Sequence, residues 1–473
     1  MDLFAHKDIL KNKIENTIEV KNPATQEILA YIKKTDKDVL AEIINKADKA
    51  QKEWANILSE ERADILMRFY YLMLEHKDIL AEIMTKEQGK PISEAQGEII
   101  YAASFIKWFA QQARHVCGDI MESKMQGQRL MTIKQPIGVC AAITPWNFPS
   151  AMITRKIAPA LASGCAIIVK SASLTPLSAY ALELLAKEAG IPKDVFVVVN
   201  GDSNVVSDVL CGSEIIRKLS FTGSTEVGAQ LYAKCAKTIK KLSMELGGNA
   251  PFIVFDDANL QEAIEGIMAS KFRNSGQTCV CANRIYVQSG IYSKLCVELE
   301  KAMRGLKVGN GLENGVNQGP LINQNALEKV KEHIADALKK GAKLLYGGKE
   351  HRLGGTYFEP TLLCDVESNM LVAKEETFGP LAPIFKFNTE EEVIAMANDT
   401  EFGLAAYFFT QDYKRQWRLA ESLEYGMVGI NTGLISNEVA PFGGVKHSGL
   451  GREGSKYGLE EYMELKYLCL SLK

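Results

Sequence analysis

Pro136-Ile137-Gly138-Val139-Cys140-Ala141-Ala142-Ile143 is a short apolar run, and Ala166-Ile167-Ile168-Val169-Lys170, Val195 to Asn200 and Ile215 to Phe221 repeat its character. Between and after these runs, residues 149–162, 176–189, 203–210 and 224–239 carry apolar side chains at helical spacing. Short β-branched runs alternating with helices are the pattern of a parallel sheet wound by helices, so the chain reads as α/β. Upstream, 37–58, 60–86 and 92–116 are rich in Ala, Glu and Lys with helical periodicity, which predicts a mostly helical first quarter. Downstream, a second α/β region begins near residue 250. Its expected strands are Pro251 to Phe255, Arg284 to Val287 and Leu381 to Phe387, and its expected helices 258–272, 290–304, 324–340 and 389–399. Two segments fit neither lobe: 120–135 alternates around Gly127 like a hairpin arm, and 461–472 is a strand-like tail. Such edges need a partner, which another subunit or their own sheet can supply.

With 473 residues the chain has room for about three structural units. Lys plus Arg number 55 and Asp plus Glu 58, a net charge of −3, which gives no sign of a nucleic-acid partner. Ten scattered cysteines are too sparse for a disulfide scaffold, so reduced thiols and a cytoplasmic location are expected. The start, Met1 to Asp8, lacks the features of a secretory or transit peptide. The uncharged character of Gln135 to Thr154 is interrupted by Pro136, Pro145 and Pro149, which argues against a membrane span.

Chemistry concentrates in a few loops. Phe272-Arg273-Asn274-Ser275-Gly276-Gln277-Thr278-Cys279-Val280-Cys281 puts a cysteine in a glycine-bearing loop after an expected helix, the way a scaffold presents a thiol to a cleft. In Met244-Glu245-Leu246-Gly247-Gly248-Asn249 a carboxylate precedes two glycines that let backbone approach a ligand, which suits Glu245 to a base. Thr144-Pro145-Trp146-Asn147-Phe148-Pro149 sets an amide in a stiff turn before a helix, so Asn147 is a candidate oxyanion donor. Thr222-Gly223-Ser224-Thr225-Glu226-Val227-Gly228 opens a helix after a strand, where a phosphate can sit, although it is not the GxGxxG fingerprint.

Together TPWNFP, FTGST, ELGGN, the GQTC loop, EETFGP and PFGGVKHSG resemble, in order and over nearly the full chain, the aldehyde dehydrogenase superfamily. The resemblance implies a Rossmann-like cofactor domain (1–119 and 137–247), an α/β catalytic domain (248–450) and a small β oligomerisation arm with tail (120–136 and 451–473). It implies a homodimer or homotetramer. It also implies Cys279 as nucleophile, Asn147 as oxyanion donor and Glu245 as base in a thiohemiacetal and thioester mechanism. Thr144, Trp146, Lys170, Gly201, Ser224 and Val227 are carried over as contacts to the adenosine and pyrophosphate, and Glu376 and Phe378 as contacts to the nicotinamide ribose and ring. FRNSGQTCVC, PSAMITRK and GLIS resemble the succinate-semialdehyde branch, which implies that Arg155, Arg273 and Ser436 clamp a distal carboxylate.

Ser173 stands where relatives preferring NAD often place Glu. A carboxylate there would repel a 2′-phosphate, whereas Ser173 and Lys170 accept one, so NADP is expected, with NAD also open. No metal is expected, since Cys279-Val280-Cys281 lacks a second ligand pair at zinc spacing. The spacing of Cys279 and Cys281 permits a bridge, so Cys281 reads either as half of a redox off-switch or as a passive buried thiol. The expected substrate is a small aldehyde bearing a carboxylate, succinate semialdehyde first, with glutarate semialdehyde or another short aldehyde as the alternative. A cysteine hydrolase and a non-catalytic dinucleotide-binding protein are the rival classes. None of the six histidines lies in a recognisable Cys/His motif, which counts against the hydrolase.

Overall fold

A computed structural model of the chain describes residues 2–472. Two α/β sheets dominate. The first has six strands in the order Gly449–Leu450, Lys241–Glu245, Ile216–Thr222, Val139–Ile143, Ala166–Lys170 and Phe196–Val199, all parallel except the first. Its central strands are buried on both faces, hence their unbroken apolar sequences. The second has seven strands: Lys343–Tyr346, Thr361–Cys364, Leu381–Phe387, Ala282–Gln288, Ala250–Val254, Ala405–Phe409 and Met427–Ile430. All are parallel except the first.

Ala166–Lys170 and Leu381–Phe387 occur with the bounds their sequence suggests. The run Pro136 to Ile143 does not stay whole. Gly138 takes φ +121, and the chain breaks there into Gln128–Pro136 of the arm and Val139–Ile143 of the central sheet. The stretch 60–86 likewise divides at His76 into the helices Ser59–Glu75 and Lys77–Gln88. The first quarter also holds a three-stranded antiparallel sheet of Ile9–Leu10, Ile28–Lys33 and Thr17–Lys21, which is too short and mixed in pattern to stand out beside the long helices. Lys241–Glu245 escapes an apolar-run reading for a similar reason: Lys, Ser and Glu alternate with Leu and Met.

The tail strand Met463–Ser471 pairs antiparallel with Gln128–Pro136, which also pairs with Ile120–Met121. The arm and tail therefore meet each other. This small sheet leaves Ile120, Leu465 and Tyr467 largely exposed. Gly449–Leu450 joins the first sheet, although it lies within the residue range expected for the second lobe. Among the described residues, no helix is long and apolar enough to cross a membrane.

Candidate active site

Three chain segments, drawn from both α/β regions, meet at one place. The first leaves the strand Val139–Ile143 and carries Asn147, which is 4% exposed. Its Oδ1 accepts from the Phe148 N–H at 3.1 Å and its Nδ2 donates to the Gln277 carbonyl at 3.1 Å. The amide is thereby oriented, with its NH2 end toward the cysteine loop. The second segment ends the strand Lys241–Glu245 and continues through Gly247 and Gly248. A Cβ on Gly248 would fall 2.6 Å from the Cys279 carbonyl oxygen, so glycine is what lets the base segment and the thiol loop touch.

The third segment follows the helix Leu260–Lys271. Asn274, Ser275 and Gly276 take left-handed φ of 51°, 55° and 75° in succession, an uncommon conformation for the first two residues. Partners hold it there. The Asn274 N–H donates to Glu94 Oε2 at 2.8 Å, its Nδ2 donates to the Asn147 carbonyl at 3.0 Å, and Ser275 Oγ donates to the Gly319 carbonyl at 3.0 Å. The tight turn ends at Cys279, which is half-buried.

Glu245 is 2% exposed, and neither carboxylate oxygen has a hydrogen-bond partner. Burial raises its pKa well above the ordinary carboxylate range. The charge of Glu453 adds to the rise, while Lys156, Arg155 and Arg452 oppose it. Glu453 itself is held low despite burial, because Lys156 ion-pairs with one of its oxygens and Arg155 Nη1 lies 3.6 Å from the other. Burial and the charge of Glu453 thus favour the protonated form of Glu245, while Lys156 and Arg155 favour the charged form of Glu453. Burial, then the charge of Glu376, pushes the Cys279 thiol up to about 12, against the pull of Arg155.

Cys279 opens into a narrow cavity lined also by Tyr101, Phe148, Met152, Arg155, Arg273 and Ser436. All three residues expected to clamp a carboxylate therefore come together around the thiol. They differ in readiness. Arg155 donates through Nη2 to the Tyr101 hydroxyl at 2.9 Å and lies 4.0 Å over the Phe442 ring, while its Nε and Nη1 have no hydrogen-bond partner. Arg273 stacks 4.6 Å from the Phe148 ring centroid. Cys281 turns away: its Sγ accepts from Lys271 Nζ at 3.2 Å. A bridge to Cys279 would have to break that contact. A larger cavity lined by Arg284, Tyr286 and Met396 lies in the second lobe and includes none of these groups.

The dinucleotide candidates lie at the carboxyl ends of adjacent parallel strands, where open α/β sheets bind ligands. Thr144 and Lys170 follow and end neighbouring strands. The hydroxyls of Thr144 and Thr222 are buried without a hydrogen-bond partner. Lys170 is 7% exposed, and burial lowers its pKa against the pull of Asp202. Ser224 caps the helix Thr225–Cys235, accepting from the Val227 N–H at 3.4 Å, so a helix N-terminus faces the crevice. Ser173 is half-buried near Lys170. These donors and orphaned hydroxyls fit a phosphorylated dinucleotide. Gly201 is explained by the chain itself, since a Cβ there would meet the Thr35 carbonyl at 2.7 Å. Nearer the thiol, Glu376 accepts from the Gly248 N–H at 3.3 Å and titrates near 7, raised by burial, and the Phe378 ring meets Trp146 edge-on at 5.6 Å. Among the described residues, no three of His, Cys, Asp and Glu gather as a ligand set.

Lys156, Glu453, Tyr101 and Lys90 belong to this site without having been singled out in the sequence. Lys156 adjoins Arg155 in PSAMITRK, and Glu453 follows shortly after PFGGVKHSG. A charge within or close to a recognised motif was the available signal for Lys156 and Glu453; Tyr101 and Lys90 carried none.

The aldehyde dehydrogenase family profile matches residues 10–468. A glutarate-semialdehyde dehydrogenase of Pseudomonas aeruginosa is 61% identical over 454 residues, covering 96% of this chain and 94% of that protein. An NADP(+) succinate-semialdehyde dehydrogenase of Escherichia coli is 59% identical over 455 residues, covering 96% and 94%. The crystal structure of an aldehyde dehydrogenase from Brucella melitensis superimposes with a TM-score of 0.97 at 58% identity, covering 99% of this chain and 98% of that one. The chain belongs to the aldehyde dehydrogenase family.

Proposed function

We propose that the chain oxidises succinate semialdehyde to succinate with NADP, its carboxylate held by Arg273, Arg155 and Ser436. The observation that carries this reading is the cavity itself: two guanidinium groups and a hydroxyl line the same narrow space as a half-buried thiol. Planar guanidinium groups suit a carboxylate. The identity to an Escherichia coli enzyme named for succinate semialdehyde and NADP(+) supports the same choice. Glutarate semialdehyde is the second reading, favoured by the Pseudomonas relative, and one methylene is worth only about 1–3 kcal/mol of discrimination.

In this mechanism the Cys279 thiolate adds to the aldehyde carbon, and the resulting oxyanion is held by Asn147 Nδ2 and the Cys279 N–H. NADP, when bound along Thr144, Trp146, Lys170, Ser173, Gly201, Ser224, Val227, Glu376 and Phe378, supplies the hydride acceptor that makes a thioester of this adduct. In its ionised form, which the charges of Lys156, Arg155 and Arg452 favour against burial, Glu245 takes a proton from the water that releases the acyl group as carboxylate. The fully buried Glu245, without a hydrogen-bond partner in the chain, suits a base that waits for a water.

The test is a steady-state panel of succinate semialdehyde, glutarate semialdehyde and propanal, with NADP and NAD. Succinate semialdehyde with NADP is expected to be best. Arg273→Ala is expected to lower kcat/KM for it about 10²-fold, the worth of a charge-assisted hydrogen-bond pair, while leaving propanal within about threefold. Equal losses for both aldehydes, or a strong preference for NAD, would remove the respective assignment.

Residues 1–119 and 137–247 are proposed as the cofactor domain, 248–450 as the catalytic domain apart from Gly449–Leu450, which pair with the first sheet, and 120–136 with 451–473 as the oligomerisation arm and tail. Met1 and Lys473 lie outside the described residues. The exposed Ile120, Leu465 and Tyr467 on the arm sheet support a homodimer or homotetramer, which light scattering should report in place of a monomer. The free state of all ten cysteines supports a reducing, cytoplasmic setting.

A further inference from the structure

The Gln88-Gly89-Lys90-Pro91 turn places a buried cation under the Asn147 loop. Lys90 is 2% exposed. Its Nζ lies 2.5 Å from Glu98 Oε2, donates to the Asn147 carbonyl at 2.8 Å, and rests 4.0 Å over the Phe148 ring. The other oxygen of Glu98 accepts from the N–H groups of Ser150 and Ala151 at 3.0 and 3.2 Å, where the helix Ala151–Ser163 begins. A single ion pair therefore holds both the carbonyl of Asn147 and the helix start that follows it.

The same lysine is tied to the cysteine loop. Its backbone N–H donates to Gln88 Oε1 at 2.9 Å, Gln88 Nε2 donates to Asn274 Oδ1 at 3.0 Å, and Asn274 Nδ2 returns to the Asn147 carbonyl. That carbonyl thus accepts from two fixed donors, which sets the plane of the Asn147–Phe148 peptide. The turn carrying Lys90 is itself clamped, for Gly89 sits at φ +95 and a Cβ there would meet Pro23 and Pro320 at 2.9 Å each.

We propose that Lys90, paired with Glu98, is a positioning residue that sets the oxyanion-binding amide of Asn147 against the thiol loop. Replacing a buried ion pair by apolar groups is often neutral or stabilising, so stability alone is a weak reason for one. A displacement of about 1 Å at a reacting site can cost about 10²-fold in rate, which gives the pair a purpose. The proposal rests on the reading of Asn147 as oxyanion donor.

The full-length protein and its Lys90→Met, Lys90→Met/Glu98→Gln, Asn147→Ala and Asn147→Ala/Lys90→Met variants are compared by thermal melting, NADP titration and steady-state kinetics with succinate semialdehyde. Lys90→Met is expected to lower kcat about 10- to 10²-fold while KM and the NADP dissociation constant stay within about threefold. Adding Glu98→Gln is expected to recover most of the melting temperature, because the carboxylate hydrogen-bonded to Lys90 is removed with it and Glu94 keeps the charge of Arg273, without restoring kcat. On the Asn147→Ala background, Lys90→Met is expected to cost no more than about threefold further, since the two act as a unit. Recovery of kcat together with melting temperature would reduce the pair to a structural role. A full multiplicative loss on the Asn147→Ala background would show that Lys90 acts on something other than Asn147. Parental kcat in Asn147→Ala alone would remove the oxyanion reading and this proposal with it.

Discussion

Cys279→Ala is expected to lower aldehyde oxidation on the order of 10⁶-fold, the scale on which loss of a covalent nucleophile is felt. The loss should fall on kcat rather than on NADP binding, because Cys279 lies in the aldehyde cavity and outside the strand-end crevice of Thr144, Lys170 and Ser224. Burial and Glu376 hold the thiol near 12 in the free protein, so the reactive thiolate fraction grows about tenfold per pH unit across the neutral and mildly alkaline range. Alkylation of Cys279 by iodoacetamide, followed at that peptide by mass spectrometry, should therefore climb through pH 7 to about 10 without a plateau. The Arg155 guanidinium pulls the other way, so a plateau near neutral pH would mean that the cation outweighs burial. Substantial turnover by the alanine variant would remove the covalent mechanism.

Glu245→Gln should separate the two halves of the reaction. The amide is close in shape but takes no proton, so steady-state turnover is expected to fall about 10²- to 10⁴-fold. A rapid burst of reduced cofactor, one per active site at most, should remain, because forming the thioester needs no water. Loss of the burst along with turnover would place Glu245 before acylation.

The same variant carries a stability signature. Burial and Glu453 raise the folded-state pKa of Glu245 above its unfolded value, so between the two the folded chain binds the extra proton. Stability from this group is full below the unfolded value and is lost as pH rises toward the folded one. Glu245→Gln removes that loss, so its melting temperature should exceed the parent's by more at pH 7 than at pH 4.5. An equal difference at both pH values would mean that burial does not raise the pKa of Glu245.

The linear chain by itself determined the α/β class, because buried parallel strands such as Ala166–Lys170 must be apolar on both faces and separated by helices. It also determined the thiol loop, the Glu245 segment and the Asn147 turn, since each needs glycine or proline at particular places and so leaves a local mark. The asymmetry between its two cavity arginines was decided only by folding. Arg155 is drawn to Glu453 and Tyr101 by contacts between residues far apart in sequence, while Arg273 is stacked on Phe148. The opposite pKa shifts of Glu245 and Glu453, and the grip of Lys90 and Glu98 on the Asn147 turn, were decided there too. Burial and through-space charge set these features, and neither exists until distant segments pack together.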